Sequence, residues 1–243
     1  MLAVVAAVVA VVAVVGLRQA TGPPASDGPV KVLLVPGYGG SRDALSTLAG
    51  RLRKAGHEAE VLTLPGDGTG DLNAQTRVLD AAAGDGPVDV IGYSAGGVVA
   101  RLWVEGNGAT RVRRVITLGS PLHGTDIAAA GNVLAPGACP VACQQLSPGS
   151  AVLRPIASAP PGVPWLSVWT ENDQTVVPPD SANLPGAVNV SLQQICPDAV
   201  VSHSQLPTDP LVTGLVLRTL RAATVTAPAA RDCAALRATG TSS

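Results

Sequence analysis

The stretch PVDVIGYSAGGVVARLW (87–103) joins an apolar run to a helical pattern through a serine flanked by glycines. The run 87–93 is rich in β-branched residues, as a buried strand requires. Gly92 and Gly96 keep side chains out of a sharp turn, where they would clash with the neighbouring strand and helix. We therefore predict a strand–turn–helix in which the Ser94 hydroxyl lies clear of the sheet, at the first turn of a helix, the arrangement called a nucleophile elbow.

Similar apolar runs alternate with helical stretches along the rest of the chain. The predicted strands are 30–35, 58–64, 87–93, 111–119, 164–170 and 187–192. The predicted helices are 42–55, 73–83, 95–105 and 207–222. Strands that are apolar almost throughout are buried on both faces, so the pattern predicts an α/β fold: a mostly parallel sheet of about six strands with helices on both faces. The Gly-, Ala- and Pro-rich stretch 121–163 is expected to be a short cap insertion over the carboxyl edge of the sheet, with a short helix near 150–157.

Composition narrows the class of protein. The chain has 243 residues, 47% of them hydrophobic and 14% charged, with a net charge of −1. One α/β domain accounts for this length, and so apolar a chain is not disordered. With no basic stripe, a nucleic-acid binder is excluded. No cofactor is expected and no metal ion is predicted, because CPVAC (139–143) lacks the spacing of a zinc knuckle and has no histidine near it.

The N-terminal segment 1–17 is an uncharged apolar run that ends before an arginine. As a helix, its residues 2–17 would span about 24 Å, short of the ~30 Å hydrocarbon core of a bilayer. This length favours a signal peptide or signal anchor, followed by a Pro- and Gly-rich linker, 18–29. We expect a secreted or cell-envelope-anchored protein whose only membrane contact is through this segment. The folded domain is expected over 30–233, and the small residues of 234–243 predict a flexible tail.

The four cysteines are Cys139, Cys143, Cys196 and Cys233. An even number in a chain that is expected to be exported favours disulfides over a metal site. Four cysteines allow three pairings. Sequence distance and the predicted topology favour Cys139–Cys143, within the insertion, and Cys196–Cys233, which ties the loop before the last helix to the chain after it.

A serine nucleophile needs a base, and the chain has three histidines. We favour His203, which lies between the last predicted strand and the last predicted helix, so that its loop carries the imidazole back over the elbow. His57 lies in a short turn that enters a strand and is expected to be exposed and structural. His123 follows the fourth predicted strand, and a packing or loop-orienting role is expected.

The base in turn needs a carboxylate that orients it and stabilises its charged form. Asp173 directly follows the strand 164–170 and is therefore the preferred acid. Glu171 and Asp180 share its loop and are the alternatives. Asp198 and Asp209 flank the histidine too closely in sequence to be preferred.

The segment PGYGG (36–40) closes the first predicted strand. Glycine-rich backbone at this point can direct an N–H at the oxygen that gains charge when a serine attacks a carbonyl. We predict that the N–H groups of Tyr38 and Ala95 form this oxyanion hole.

Taken together, these segments resemble the small secreted lipases and esterases of bacteria within the α/β-hydrolase superfamily. The resemblance covers nearly all of the chain after residue 30 and rests on VLLVPGYGG (32–40), VDVIGYSAGGVVAR (88–101), LGSPLHGTD (118–126), ENDQTVVP (171–178) and VSHSQL (201–206). The stretch ACQQLSPGS (142–150) is similar to exported actinobacterial members. One departure is Tyr93, where many such lipases carry histidine.

The resemblance implies the α/β-hydrolase fold and ester hydrolysis through an acyl-enzyme. It also implies a triad of Ser94, Asp173 and His203, in the chain order of that fold. The expected substrate is an ester or lipid small molecule, and the expected state is a monomer. Two alternatives remain: an acyltransferase, in which an alcohol replaces water, and a catalytically silent binding protein with the same fold.

Overall fold

The computed structural model describes residues 30–134 and 137–243, so the predicted signal segment, 1–17, and the linker, 18–29, lie outside the described residues. Six strands form one sheet in the order β2-β1-β3-β4-β5-β6, and every neighbouring pair is parallel. The strands are β1 Lys31–Val35, β2 Glu58–Val61, β3 Val88–Tyr93, β4 Val112–Leu118, β5 Trp165–Trp169 and β6 Val188–Ser191. The predicted parallel, six-stranded sheet is confirmed.

The helices of the described chain cover both faces of this sheet. They are α1 Asp43–Lys54, α2 Leu72–Ala83, α3 Ala95–Trp103, α4 Asp126–Leu134, α5 Val141–Gln145, α6 Leu192–Ile195, α7 Pro210–Arg221 and α8 Cys233–Ser242. α1 and α7 pack on one face, against residues such as Val32 and Leu34, and α2 and α3 pack on the other, against Leu33 and Val35. Successive β1 side chains point to opposite faces, and all four are buried, which explains the unbroken apolar run.

The sheet order sets the position of the predicted elbow. β3 lies between β1 and β4, with Gly92 beside Val35 and Tyr93 beside Leu118. Because all strands are parallel, their carboxyl ends meet at one edge of the sheet, where ligands of open α/β folds bind. The loops after β1, β3, β4, β5 and β6 therefore converge at this edge.

The insertion 121–163 packs on the loop that follows β5. Thr125 donates from Oγ1 to Thr175 O at 3.1 Å, and the Asp126 N–H donates to Val177 O at 2.7 Å. The short helix expected near 150–157 is a single 3₁₀ turn, Arg154–Ile156. α4 and α5 were not predicted, because this Ala- and Gly-rich stretch lacks a helical apolar period. Both predicted disulfides are present, and Cys139–Cys143 joins the segment just before α5 to the third residue of that helix.

The expectation of a flexible tail at 234–243 is wrong, because these residues form most of α8. α8 lies so close to α7 that a Cβ on Gly240 would stand 2.7 Å from the carbonyl carbon of Pro210, and one on Gly214 2.7 Å from that of Leu236. The small residues that suggested fraying are thus what allows the two helices to pack. Within the described ranges, no helix has the length and apolar character needed to cross a bilayer.

Candidate active site

The strand–turn–helix predicted around Ser94 is present. Ser94 lies between β3 and α3 with φ 53°, a left-handed conformation that costs a non-glycine residue about 1–3 kcal/mol and is common at functional sites. The residues two positions before and after it must be glycine: a Cβ on Gly92 would lie 2.6 Å from Gly97 N, and one on Gly96 would lie 2.5 Å from Pro36 O. The Ser94 N–H donates to Leu118 O at 2.9 Å, so the turn is also held to β4.

The loop after β1 packs directly on this serine. A Cβ on Gly37 would lie 2.9 Å from Ser94 Cβ and 3.5 Å from Ser94 Oγ. The Gly40 N–H donates to Gly37 O at 3.0 Å and closes the loop into a turn. The N–H groups of Tyr38, in this turn, and of Ala95, at the start of α3, have no acceptor in the part of the chain that is described. These are the two N–H groups that the sequence predicts as the oxyanion hole.

His203 and Asp173 form a buried pair. His203 Nδ1 lies 2.6 Å from Asp173 Oδ2, and the side chains are 9% and 1% exposed. Because a carboxylate only accepts, Nδ1 carries the proton, and Nε2 is left as the basic nitrogen. Asp173 Oδ1 accepts the N–H groups of Thr175 and Val176, at 2.9 and 2.8 Å. These bonds hold the carboxylate, and the carboxylate in turn orients the imidazole.

The other candidate acids lie elsewhere. Glu171 accepts a hydrogen bond from Ser191 Oγ at 3.0 Å, and Asp180 is an exposed residue of a 3₁₀ turn. Asp198 pairs with Arg237, and Asp209 caps the N-terminus of α7. Of the acids considered, Asp173 is therefore the one that the structure brings to His203.

The two remaining histidines are bonded or buried away from this pair. His123 Nε2 lies 2.9 Å from Asn183 O, a contact that orients the loop after β4, as expected. His57 precedes β2, at the amino edge of the sheet, and is half-buried rather than exposed. Burial and the nearby charge of Arg221 lower the pKa of its imidazole.

Sequence reasoning missed two residues that surround the imidazole. The Tyr93 ring centroid lies 5.2 Å from that of His203 at an interplanar angle of 33°, and Tyr93 Oη donates to His203 O at 3.3 Å. Burial, followed by the negative charge of Asp173, raises the pKa of Tyr93 to about 12. Gly119, with φ +56°, ends the β4 segment, and a Cβ there would lie 3.1 Å from His203 Nδ1. The sequence signal for Gly119 was its position, because it directly follows β4, the strand that pairs with β3 next to the elbow.

Comparison with known proteins agrees with this architecture. The model of the alpha/beta hydrolase family matches residues 32–239. Lipase B of Aspergillus fumigatus is similar with a TM-score of 0.72 and 22% identity, over 88% of this chain and 59% of that one. The chain thus spans less than two thirds of that lipase. Mature Bacillus licheniformis lipase BlEst2 has a TM-score of 0.57 and 21% identity, over 69% and 84% of the two chains.

A third similar structure is a bromoperoxidase from Bacillus anthracis, with a TM-score of 0.55 and 14% identity, over 74% of this chain and 87% of that one. No curated protein sequence matches the chain. At these identities the structural likeness is one of fold, and the chemistry has to be argued from the residues at the site.

Proposed function

Because the chain belongs to the alpha/beta hydrolase family, we propose that it hydrolyses carboxylic esters through an acyl-enzyme formed on Ser94. The observation that carries this proposal is the buried His203–Asp173 pair, 2.6 Å apart, at the same sheet edge as a serine held at φ 53°. A serine hydroxyl is a weak nucleophile on its own, and a base that is oriented by a carboxylate is what activates it.

In the first half of the reaction, His203 Nε2 takes the Ser94 proton as Oγ attacks the carbonyl carbon of the ester. Asp173 holds the Nδ1–H and stabilises the imidazolium that forms. The carbonyl oxygen becomes an oxyanion, which the N–H groups of Tyr38 and Ala95 bind. The ester C–O bond then breaks, and Nε2 returns its proton to the leaving alcohol.

The second half repeats these steps with water. His203 Nε2 takes a proton from the water, whose oxygen attacks the acyl carbon. The same N–H groups bind the second oxyanion, and the positive end of α3 favours both. Collapse releases the carboxylic acid and returns the proton to Ser94 Oγ. The chain's own residues supply every catalytic group in this cycle. We propose an ester or lipid small molecule as the substrate and a monomer as the active form.

We also propose that this chemistry takes place outside the cytosol. The two disulfides fit an extracellular protein, because thiols are kept reduced in the cytosol. An apolar N-terminal segment of the length seen in signal peptides supports the same compartment.

A series of p-nitrophenyl esters of increasing acyl length, combined with active-site variants, tests the proposal. Ser94→Ala and His203→Ala should each lower kcat by about 10⁶, because the groups act as a unit. Asp173→Asn should lower kcat by about 10⁴ through the wrong imidazole tautomer. Asp180→Asn, an exposed acid of the same loop, is the matched control and should keep the wild-type rate.

A serine-reactive phosphonate should label Ser94 in the wild type and fail to label Ser94→Ala. A transesterified product in place of free acid, when an alcohol is added, would identify an acyltransferase instead. Loss of activity in Asp180→Asn but not in Asp173→Asn would mean that the acid is misassigned. An unlabelled Ser94, with no turnover at any acyl length, would overturn the proposal in favour of a silent binding protein.

A further inference from the structure

We propose that Tyr93 is a positioning residue for His203, fixing the orientation of the imidazole above Ser94 through a ring contact and a hydrogen bond to the His203 main chain. The inference rests on the proposed function, since orientation matters here only if His203 acts as a base. No described contact of Tyr93 is required by the elbow itself, whose turn needs glycines and a serine.

The pair with Asp173 leaves one degree of freedom open. A single hydrogen bond between Nδ1 and Oδ2 fixes one atom of the ring, but a shift of the His203 main chain, which carries Cβ, can still rotate the imidazole about that atom. Rotation moves Nε2, the atom that must reach the Ser94 proton. A second contact, on the ring face or on the main chain, is needed to stop it.

Tyr93 supplies both kinds of contact. Its ring lies 5.2 Å from the imidazole, tilted by 33°, and its hydroxyl donates to His203 O at 3.3 Å. That carbonyl also accepts the Leu206 N–H at 3.2 Å, in the single 3₁₀ turn that begins at His203. A short turn on a loop is a weak support, and the Tyr93 hydroxyl ties it to the sheet.

The support that Tyr93 offers is itself rigid. Tyr93 is the last residue of β3, paired with Leu118 of β4, and it directly precedes the strained Ser94 backbone. The nucleophile and the residue that contacts the base are thus adjacent in the chain, at the end of β3. Gly119 leaves space for the imidazole, since a Cβ there would lie 3.2 Å from His203 Cε1. The phenol remains a donor across ordinary assay conditions, because the pKa of Tyr93 is raised to about 12.

Tyr93→Phe keeps the ring and removes the hydrogen bond, whereas Tyr93→Leu removes both contacts. We expect kcat to fall about fivefold in the first variant, the usual worth of one neutral hydrogen bond. In Tyr93→Leu we expect a fall of about 10²-fold, the cost of a misplacement of about 1 Å. KM should stay within about twofold in both, since no substrate contact is removed.

Thr208→Val is the matched control. Thr208 Oγ1 donates to Gln205 O at 3.2 Å, so this variant also deletes a hydroxyl-to-carbonyl bond from the loop of His203, but one without a contact to the imidazole. It should keep the wild-type kcat and KM. A purely structural role for Tyr93 would instead lower the unfolding temperature of Tyr93→Phe and Tyr93→Leu with no selective loss of kcat.

A second measurement does not depend on turnover. In protein labelled with ¹⁵N-histidine, the His203 Nδ1–H signal should be sharp in the wild type and in Thr208→Val, and broadened in Tyr93→Leu by faster exchange with water. If the wild type hydrolyses no ester, the proposed function fails, and this signal still tests the role of Tyr93. The inference is overturned if Tyr93→Leu keeps kcat within about twofold or leaves the Nδ1–H signal unchanged. Should Tyr93→Leu not fold, the kcat of Tyr93→Phe decides.

Discussion

At the scale of single residues, the close packing around Ser94 depends on glycines, which carry no Cβ atom. A Cβ on Gly37 would lie 2.9 Å from Ser94 Cβ and one on Gly92 2.6 Å from Gly97 N, closer than real Cβ atoms approach their neighbours. Backbone N–H groups can reach a bound oxygen only where no side chain intervenes. Gly37 therefore allows the loop after β1 to approach the serine, and Gly92 allows the first turn of α3 to approach β3.

Gly37→Ala tests this close approach. The new methyl would press on Ser94 Cβ and on Tyr93 O, 3.3 Å away, and one of the two loops would have to move. We expect kcat/KM for a p-nitrophenyl ester to fall by about 10²-fold, because a shift of about 1 Å in a reacting group has that effect. Ser41→Ala, a change at an exposed residue of the same loop, is the control and should leave kcat/KM unchanged. Full activity in Gly37→Ala would show that the loop after β1 accommodates a methyl group without disturbing Ser94.

Sequence was a good guide to the residues whose place in the chain decides their role. Asp173, Glu171 and Asp180 all follow β5, and the position after this strand placed the candidate acids in one loop. The choice among them needed the structure, in which Asp173 contacts the imidazole and Glu171 accepts from Ser191 Oγ instead. The role of Tyr93 could not be predicted from its position in the chain. Its contact with His203 joins residues far apart in the chain, and no pattern of spacing encodes such a meeting.

At the scale of elements, the six strands and the helices α1, α2, α3 and α7 were predictable, whereas α4, α5 and α8 were not. Parallel strands buried on both faces must be apolar almost throughout, so their sequences differ sharply from the rest. α4, α5 and α8 are built from small and polar residues without a clear apolar period. Their stability depends on partners, such as the groove on α7 that Gly214 opens for α8. A helix that is stabilised mainly by tertiary packing leaves no clear pattern in its local sequence.

Two glycine-to-alanine changes in helices should have opposite effects. Gly50, in α1, has open space at its Cβ position, so Gly50→Ala should raise the free energy of unfolding by about 0.5–1 kcal/mol. A Cβ on Gly240, in α8, would lie 2.9 Å from Gly214 N, so Gly240→Ala should lower the free energy of unfolding despite the same gain in helix propensity. Urea denaturation of both variants measures the difference. A stabilised Gly240→Ala would mean that α8 does not dock on α7 in solution.

At the scale of the whole molecule, the parallel sheet brings the site together. Ser94 follows β3, Gly119 follows β4, Asp173 follows β5 and His203 lies beyond β6, so residues from four loops share one edge. This convergence was predictable, because parallel strands place all their carboxyl ends on the same side. The distances within the site were not, since they depend on how each loop packs.

The two disulfides should contribute unequally to the stability of this assembly. In the chain-entropy model, closing the loop of 37 residues between Cys196 and Cys233 stabilises by about 4 kcal/mol, and the loop of 4 between Cys139 and Cys143 by about 2 kcal/mol. The longer loop also joins the end of α6, ahead of the His203 loop, to the start of α8. Its loss should therefore lower kcat as well as stability, because His203 is no longer held in register with Ser94.

Serine replacements of the cysteines separate these effects. Cys196→Ser and Cys233→Ser should each lower the urea midpoint by the same amount, and the double variant should lose no more, since either change breaks the one bond. The corresponding changes at Cys139 and Cys143 should cost less and leave kcat nearly unchanged, because α5 contacts neither His203 nor Asp173 through a described hydrogen bond. Peptide mapping without reductant verifies the pairing. A larger loss of stability from the Cys139–Cys143 pair would show that native packing of the insertion, rather than the length of the closed loop, decides what each disulfide contributes.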